Sequence, residues 1–186
     1  MPLSPPAPRT LAHTRRVTYR GFKRTDGLWD IEGELLDSKP YPTDSLTGGP
    51  ERPANAPVHS MLVRATIDLA LVVHAIEVSM DAFPLGDCPK ARLSMQTMVG
   101  CSMTSGWRNA IQANLGGVAS CTHLRELLNN MATAAFQTLS HAIHETALAD
   151  AVPPYVGQCT GWDRSGEGVR VHHPQFYKQP GLPVES

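Results

Sequence analysis

Residues 58–80 read VHSMLVRATIDLALVVHAIEVSM, and their alternation of apolar and polar side chains predicts the core of the fold. Residues 58–68 place their apolar positions on one face, and residues 71–80 alternate again. The apolar positions are Met61, Val63, Ala65 and Ile67, followed by Val72, Ile76, Val78 and Met80. Apolar residues at every second position are typical of a half-buried strand. The stretch therefore predicts an antiparallel β-hairpin with one face turned to a core.

A further hairpin is predicted upstream, over residues 13–38. β-forming residues stand on both sides of Asp26-Gly27, which is a favoured pair in tight hairpin turns. Residues 40–57 lie between the two hairpins and are rich in proline, so we expect a loop there. Two hairpins in succession predict a four-stranded antiparallel meander with one face to be covered.

Helical patterns dominate the chain after this sheet. Short helices are predicted over 89–99 and 106–115, and a long one over 121–149, whose leucines keep helical spacing. Strands followed by helices predict an α+β fold, in which three helices cover one face of the sheet and the last helix is long. A short strand pair is expected around Asp163–Gly168.

The chain has the length of one ordinary domain, 186 residues. We expect a proline-rich tail over residues 1–12, a single α+β domain over 13–176 that contains the 40–57 loop, and a tail over 177–186. The first ten residues, MPLSPPAPRT, lack the apolar run of a secretory signal. A cytoplasmic protein with reduced cysteines is therefore expected.

Charge and hydropathy exclude two classes of partner. The 16 Lys and Arg residues almost balance the 17 Asp and Glu residues, so there is no basic surplus for sequence-independent nucleic-acid binding. No apolar stretch approaches the roughly 20 residues of a membrane span. We expect a small-molecule substrate, and a homodimer is left open.

Two cysteines stand where helices are predicted to begin. Cys88 precedes Pro89, and proline is favoured at the first helical position. Cys121 follows the Gly116-Gly117 break and opens the long helix. Unpaired amides and the helix dipole stabilise a thiolate at such a position, and a thiolate is both a nucleophile and a metal ligand. Buried packing is the alternative for each cysteine.

Two histidines are candidates to join these cysteines. His123 converges with Cys121 if the cysteine lies just outside the helix, and His59 opens a strand directly after the proline-rich loop. A surface or packing role is the alternative for both. Asp87 and Asp30 are candidate supporting partners of the site.

The remaining histidines and cysteines give weaker signals. His141, His144 and Glu145 share a helical face, but they do not follow the H-E-x-x-H spacing of zinc proteases and are read as a solvated surface. The others are read as tail, packing or unassigned positions: His172 and His173 as tail, Cys101 as packing, and Cys159, His13 and His74 as unassigned.

Several segments together resemble a bacterial family known as domain of unknown function 2889. These segments are residues 2–39, PVHSMLVRATID at 57–68, DCP at 87–89 and, most specifically, GGVASCTHLRELL at 116–128 followed by MATAAFQ at 131–137. The resemblance implies a cytosolic bacterial protein linked to the catabolism of aromatic or acyl-CoA compounds. It carries no mechanism.

Two segments are also similar to the U-type iron–sulfur cluster scaffolds. Residues 61–89 are similar to their strand pair and the cysteine after it, and residues 120–136 are similar to their last helix. The similarity implies that Cys88 and Cys121 correspond to two cluster ligands, with His59 near the place of a third. One departure is that His123 follows its cysteine, whereas the scaffold histidine precedes it.

Together these features predict one site formed by His59, Cys88, Cys121 and His123. Mixed thiolate and imidazole ligands suit Zn²⁺, and an open coordination position would support hydrolase or lyase chemistry with Cys121 and His123 in the catalytic centre. One alternative is a carrier of an iron–sulfur cluster or metal without catalysis. Another is a metal-free enzyme in which Cys121 is the nucleophile and a histidine is the base.

Overall fold

A four-stranded antiparallel sheet forms the centre of the computed structural model, which describes residues 3–146 and 151–179. The strands are β1 (Thr14–Lys23), β2 (Trp29–Ser38), β3 (Pro57–Ile67) and β4 (Val73–Ala82), and their order in the sheet is β1-β2-β3-β4. Both predicted hairpins and the antiparallel sheet are therefore confirmed.

The core lies on one face of this sheet because the side chains of each strand alternate between its two faces. Opposite residues in the register share a face, so the buried positions form continuous rows across the strands. On β2 these are Ile31, Gly33, Leu35 and Asp37, and opposite them on β3 lie the buried Ala65, Val63 and Met61 and the half-buried His59. Asp37 is the one charged member of the buried set on β2.

The register of β3 and β4 shifts between Thr66 and Ile67, and this changes one detail of the expected core. Val73 is opposite Ile67 and is buried, whereas Val72 is only half-buried. The prediction that Val72 shares the face of Ile76 was wrong because a β-bulge reverses the alternation locally.

The helices follow the sheet in chain order. They are α1 (Ala91–Ser94), α2 (Trp107–Leu115), α3 (Thr122–Thr146) and α4 (Glu167–His172). The predicted helix over 89–99 is a succession of short turns, with 3₁₀ turns at Cys88–Lys90 and Met95–Met98 on either side of α1. Residues 147–149 of the predicted long helix lie outside the described residues. Within the described ranges, no helix is both long and apolar enough to cross a bilayer.

Helix α3 packs against the buried face of the sheet. The Tyr19 hydroxyl donates a hydrogen bond to the Leu127 carbonyl at 3.0 Å, and the ideal Cβ position of Gly33 lies 3.1 Å from Met131 Cε. The apolar residues that α3 buries are Leu124, Leu127, Leu128, Met131, Ala135 and Leu139. The Trp107 indole donates a hydrogen bond to the Leu128 carbonyl at 2.8 Å, which joins α2 to α3.

The chain divides into two compact units, Met1–Leu139 and Ser140–Ser186. The first contains the sheet. In the second, Tyr155, Trp162 and His173 form an aromatic cluster, and the Tyr155 hydroxyl and His173 Nε2 are 2.8 Å apart. The strand pair expected around Asp163–Gly168 is wrong, because this stretch leads from a 3₁₀ turn at Thr160–Trp162 into α4. Cys159 is exposed just before that turn.

The predicted division into tails and a single domain stays a prediction. Its outermost residues, 1–2 and 180–186, lie outside the described residues.

The close approach of β1 to α3 gives a stability prediction. A Cβ atom at Gly21 would overlap the Thr138 side chain. We expect Gly21→Ala to lower the free energy of unfolding by about 1–3 kcal/mol, because added volume in a packed interface forces side chains or backbone to shift. Urea denaturation measures this change.

Gly86→Ala is the matched control, since a Cβ at Gly86 meets nothing within 4 Å. Thr138→Ala should restore part of the stability of Gly21→Ala. Equal stability of Gly21→Ala and Gly86→Ala would contradict this packing.

Candidate functional site

One end of the sheet places three polar side chains in a row on the buried face. Arg15 of β1 is opposite Asp37 of β2, and Asp37 is opposite His59 of β3. Paired residues of neighbouring strands point to the same face, so the register alone brings these side chains together. His13 stands two residues before Arg15 and reaches the same carboxylate, with its Nε2 3.0 Å from Asp37 Oδ1.

The beginning of α3 adds two further side chains. Cys121 directly precedes the helix, and its carbonyl accepts the hydrogen bond from the Arg125 amide. The Cys121 Sγ lies 3.7 Å from Nδ1 of His123, and His123 Nε2 lies 3.9 Å from Asp37 Oδ2. The first turn of the long helix therefore faces the row of strand residues.

Asp37 is the centre of this group and is only 3 % exposed. Arg15 donates two hydrogen bonds to it, from Nε to Oδ1 and from Nη2 to Oδ2, each 2.8 Å long. His59 Nδ1 lies 3.0 Å from Oδ2. With His13, four nitrogen atoms surround the carboxylate, which has about four acceptor positions.

These contacts keep the carboxylate charged. Burial by itself raises the pKa of Asp37, but the hydrogen bonds and charge of Arg15, with the hydrogen bonds of His13 and His59, outweigh it and lower the pKa to about 2. Arg15 also pairs with Glu126 of α3. A single guanidinium therefore holds Asp37 on the sheet and Glu126 on the helix.

For the two site histidines, His59 and His123, burial outweighs the other effects and disfavours the charged form. Burial lowers the pKa of His59 and outweighs the hydrogen bond to Asp37. Burial also lowers the pKa of His123, and the positive charges of His59 and Arg15 lower it further. Their ring centroids are 3.9 Å apart. The lowered pKa values of His59 and His123 favour neutral imidazoles, the form that binds metal ions or accepts protons.

Asp37, His59 and His123 can together hold a metal ion. Each offers one ligand atom, and the three atoms lie within 4.8 Å of one another. Arg15 takes one acceptor position on each carboxylate oxygen and His13 the second on Oδ1, which leaves one position on Oδ2. A cation bound there would replace the proton between Oδ2 and His59 Nδ1.

The structure brings together part of the predicted site. His59 and His123 are neighbours, and Cys121 is next to His123. Cys88 lies in a 3₁₀ turn, and among the described residues it is not a member of the ligand group. Its predicted role stays a prediction.

The sequence analysis missed Asp37, Arg15 and the role of His13. A two-residue turn at Asp26-Gly27 would pair Arg16 with Asp37, whereas the observed loop has three residues, 25–27, and pairs Arg15 with Asp37. His13 was left without a partner, although it stands on the same alternating face. A buried carboxylate is not visible in composition, since only the register shows that it faces the core.

The two predicted supporting carboxylates lie elsewhere. Asp30 is on the opposite face of the sheet, seven residues or about 23 Å along β2 from Asp37. It accepts a hydrogen bond from the Thr66 hydroxyl at 2.7 Å and pairs with Arg24. Asp87 is highly exposed and pairs with Lys90. Neither can position the site, because strand alternation turns Asp30 away and Asp87 faces solvent.

The histidines outside the site have other surroundings. His141 pairs with Glu145 on the exposed surface of α3, as expected for a solvated face. His74, left without a partner in the sequence analysis, lies 2.8 Å from Asp68 at an exposed position.

Comparison with known families identifies the family of the chain. The family described as "Protein of unknown function (DUF2889)" matches residues 13–137, which is more than half of the chain. The chain belongs to this family. The match to DUF2889 contains every residue of the site, from His13 to Glu126. A search of the curated proteins finds no match, and a search of the solved structures finds none.

The buried carboxylate gives a stability prediction. Asp37→Asn should lower the free energy of unfolding of the metal-free protein by roughly 2–4 kcal/mol at pH 7, because a buried amide cannot replace the charge and all of the acceptor positions that the carboxylate offers to Arg15, His13 and His59. The native carboxylate has a pKa of about 2, against the ordinary value of 3.8 that applies in the unfolded chain. Its stabilising effect is therefore present above about pH 4 and is lost as the pH falls through about 2.

Urea denaturation of both proteins at several pH values measures this difference. The gap between wild type and Asp37→Asn should narrow below about pH 4. Asp26→Asn is a control, since Asp26 is an exposed carboxylate with an arginine partner. A gap that stays constant from pH 7 to 3 would contradict a charged Asp37.

Proposed function

We propose that this protein is a metal-dependent hydrolase or lyase that uses one divalent ion, most simply Zn²⁺, held by Asp37, His59 and His123. The observation that carries the proposal is the approach of three ligand atoms to within 4.8 Å on a half-buried surface. Two imidazoles and a carboxylate form a ligand set of catalytic zinc sites, and three protein ligands leave a position for water or substrate.

The surroundings support this ligand set. Neutral imidazoles and an ionised carboxylate are the protonation states that ligation requires, and the pKa shifts of all three residues favour them. Cys121 Sγ lies beside Nδ1 of His123, so it can fix the ring with Nε2 directed towards Asp37. Partners of this kind orient ligands in metal sites.

A bound divalent ion would polarise a carbonyl or activate a water molecule, and this is the chemistry of hydrolases and lyases. The partial exposure of His59 and His123 leaves the site open on one side. We propose a small organic intermediate of aromatic or acyl-CoA catabolism as the substrate, and this part rests on the family resemblance alone.

A second candidate function is supported by the contact between Cys121 and His123. In this alternative Cys121 is a nucleophile at the beginning of α3, His123 is its base and Asp37 orients the histidine. The 3.7 Å between Cys121 Sγ and His123 Nδ1 suits a hydrogen bond to sulfur, but the 3.9 Å between His123 Nε2 and Asp37 Oδ2 is longer than an ordinary hydrogen bond between nitrogen and oxygen. The metal site needs less rearrangement, since Asp37 and His59 are already 3.0 Å apart.

The carrier of an iron–sulfur cluster stays a third prediction. Clusters are held mainly by cysteine thiolates. Cys121 lies beside the ligand group of the described residues, but the group itself consists of a carboxylate and two imidazoles. Iron with sulfide in the purified protein would favour this alternative.

Elemental analysis of anaerobically purified, untagged protein tests the metal proposal. We expect about one zinc ion per chain, and we expect His59→Gln and His123→Gln each to weaken zinc binding at least about tenfold because each removes a ligand. His74→Gln is the matched control, since His74 is an exposed histidine with a carboxylate partner.

A folded wild-type protein that binds no metal when zinc is supplied would refute the proposal. Zinc binding of wild-type strength in both site variants would refute the ligand assignment. Cys88→Ala tests whether the predicted fourth residue takes part in metal binding.

Alkylation with iodoacetamide near neutral pH separates the metal site from the cysteine nucleophile. In the metal-free protein, we expect Cys121 to react no faster than Cys159, which is an exposed thiol of the same chain. An activated nucleophile would react much faster than that internal reference. Peptide mass spectrometry of a time course gives both rates, and rapid stoichiometric labelling of Cys121 would favour the second candidate.

A further inference from the structure

A polar groove between α2 and α3 lies beside the candidate site, on the first compact unit. It has a volume of about 630 Å³, and its polar lining consists of Arg108, Gln112, Arg125, Glu126, Asn129 and Asn130. A smaller cavity of about 270 Å³ shares Arg108 and Asn129 with it. Thr122, the residue before His123, also lines the groove.

The two arginines of the groove differ in their contacts. Arg125 is held in place by the carbonyls of Leu115 and Gly117, at 3.1 and 3.3 Å, and by the Thr122 hydroxyl at 3.2 Å. Across residues 3–146 and 151–179, no hydrogen bond or ion pair of the Arg108 guanidinium is found. Its N–H donors therefore have no protein acceptor among the described residues, and its side chain lines the groove.

The charges of the lining favour an anion. Glu126, which pairs with Arg15, is the one acidic residue of the lining, so two guanidinium groups face one carboxylate there. The Arg108 guanidinium and the side-chain amides of Gln112 and Asn129 supply donors in the lining, and Arg125 adds positive charge. Guanidinium groups bind planar carboxylates and phosphates through paired hydrogen bonds.

The support behind the groove is rigid. The hydrogen bond from Trp107 to Leu128 fixes α2 against α3, and Ile111, which lies in the lining, is 2 % exposed. Arg108 directly follows Trp107, so its backbone is anchored while its side chain is exposed. An anchored backbone reduces the entropy that ligand binding costs.

We propose that this groove is a binding site for an oxyanion group, a carboxylate or a phosphate, with Arg108 as its principal donor. Glu126 connects the groove to the candidate site, since the Glu126 carboxylate pairs with Arg15, which holds Asp37. The anion site stands apart from the metal proposal. Its use as the anchor for the charged end of the substrate rests on the proposed function.

Titration calorimetry of the metal-free protein with inorganic pyrophosphate and, separately, with succinate tests the groove. We expect at least one probe to bind with a 1:1 stoichiometry and a Kd on the order of millimolar or below. Arg108→Gln should weaken that binding about tenfold, and Arg108→Lys should weaken it less because it keeps the charge. Binding of pyrophosphate alone would indicate a phosphate ligand, and binding of succinate alone a carboxylate.

Arg92→Gln is the matched control, since Arg92 is an exposed arginine of α1 that lies outside the groove lining. It should bind the probes as the wild type does. The proposal is overturned if neither probe binds, or if Arg108→Gln binds as tightly as the wild type. Because no metal is present, a negative result here is distinct from a failure to bind zinc.

Discussion

The burial of the Asp37 carboxylate is the constraint on which this site depends. A charge that is 3 % exposed is stable only when it is paired and hydrogen-bonded, and Arg15, His13 and His59 meet that requirement. His13 and Arg15 come from the first strand and the residue before it, whereas His59 comes from β3. The ionised carboxylate therefore requires the strands to keep one register.

The same guanidinium connects two layers of the fold. Arg15 binds Asp37 within the sheet and Glu126 on α3, one helical turn beyond His123. This contact positions the first turn of α3 over the row of strand residues. His123 is thereby brought to His59, and the two neutral rings face a carboxylate whose charge is maintained. The proximity of these three side chains follows from packing that the protein also needs for stability.

Strand alternation made most of the fold predictable. The alternation in residues 58–80 and the turn at Asp26-Gly27 predicted both hairpins, and helical spacing predicted α3. The strand pair around Asp163–Gly168 was wrong, because short polar and glycine-rich stretches carry little periodicity. Asp30 and Asp37 both stand on β2, and only the direction of alternation relative to the core separates a surface carboxylate from the centre of the site.

The candidate site was predictable in part for the same reason. His59 was predicted as a site residue because it opens a strand, and His123 because it lies at the start of a helix next to Cys121. Both lie in the observed group. Arg15 and Asp37 were not predicted as site residues, because charged residues are common in an alternating strand. The sequence by itself determined the strands and the long helix, since these depend on local periodicity, and it singled out His59 and His123. Only the tertiary structure placed Asp37 beside them, because side chains far apart in sequence meet through strand register and the packing of α3.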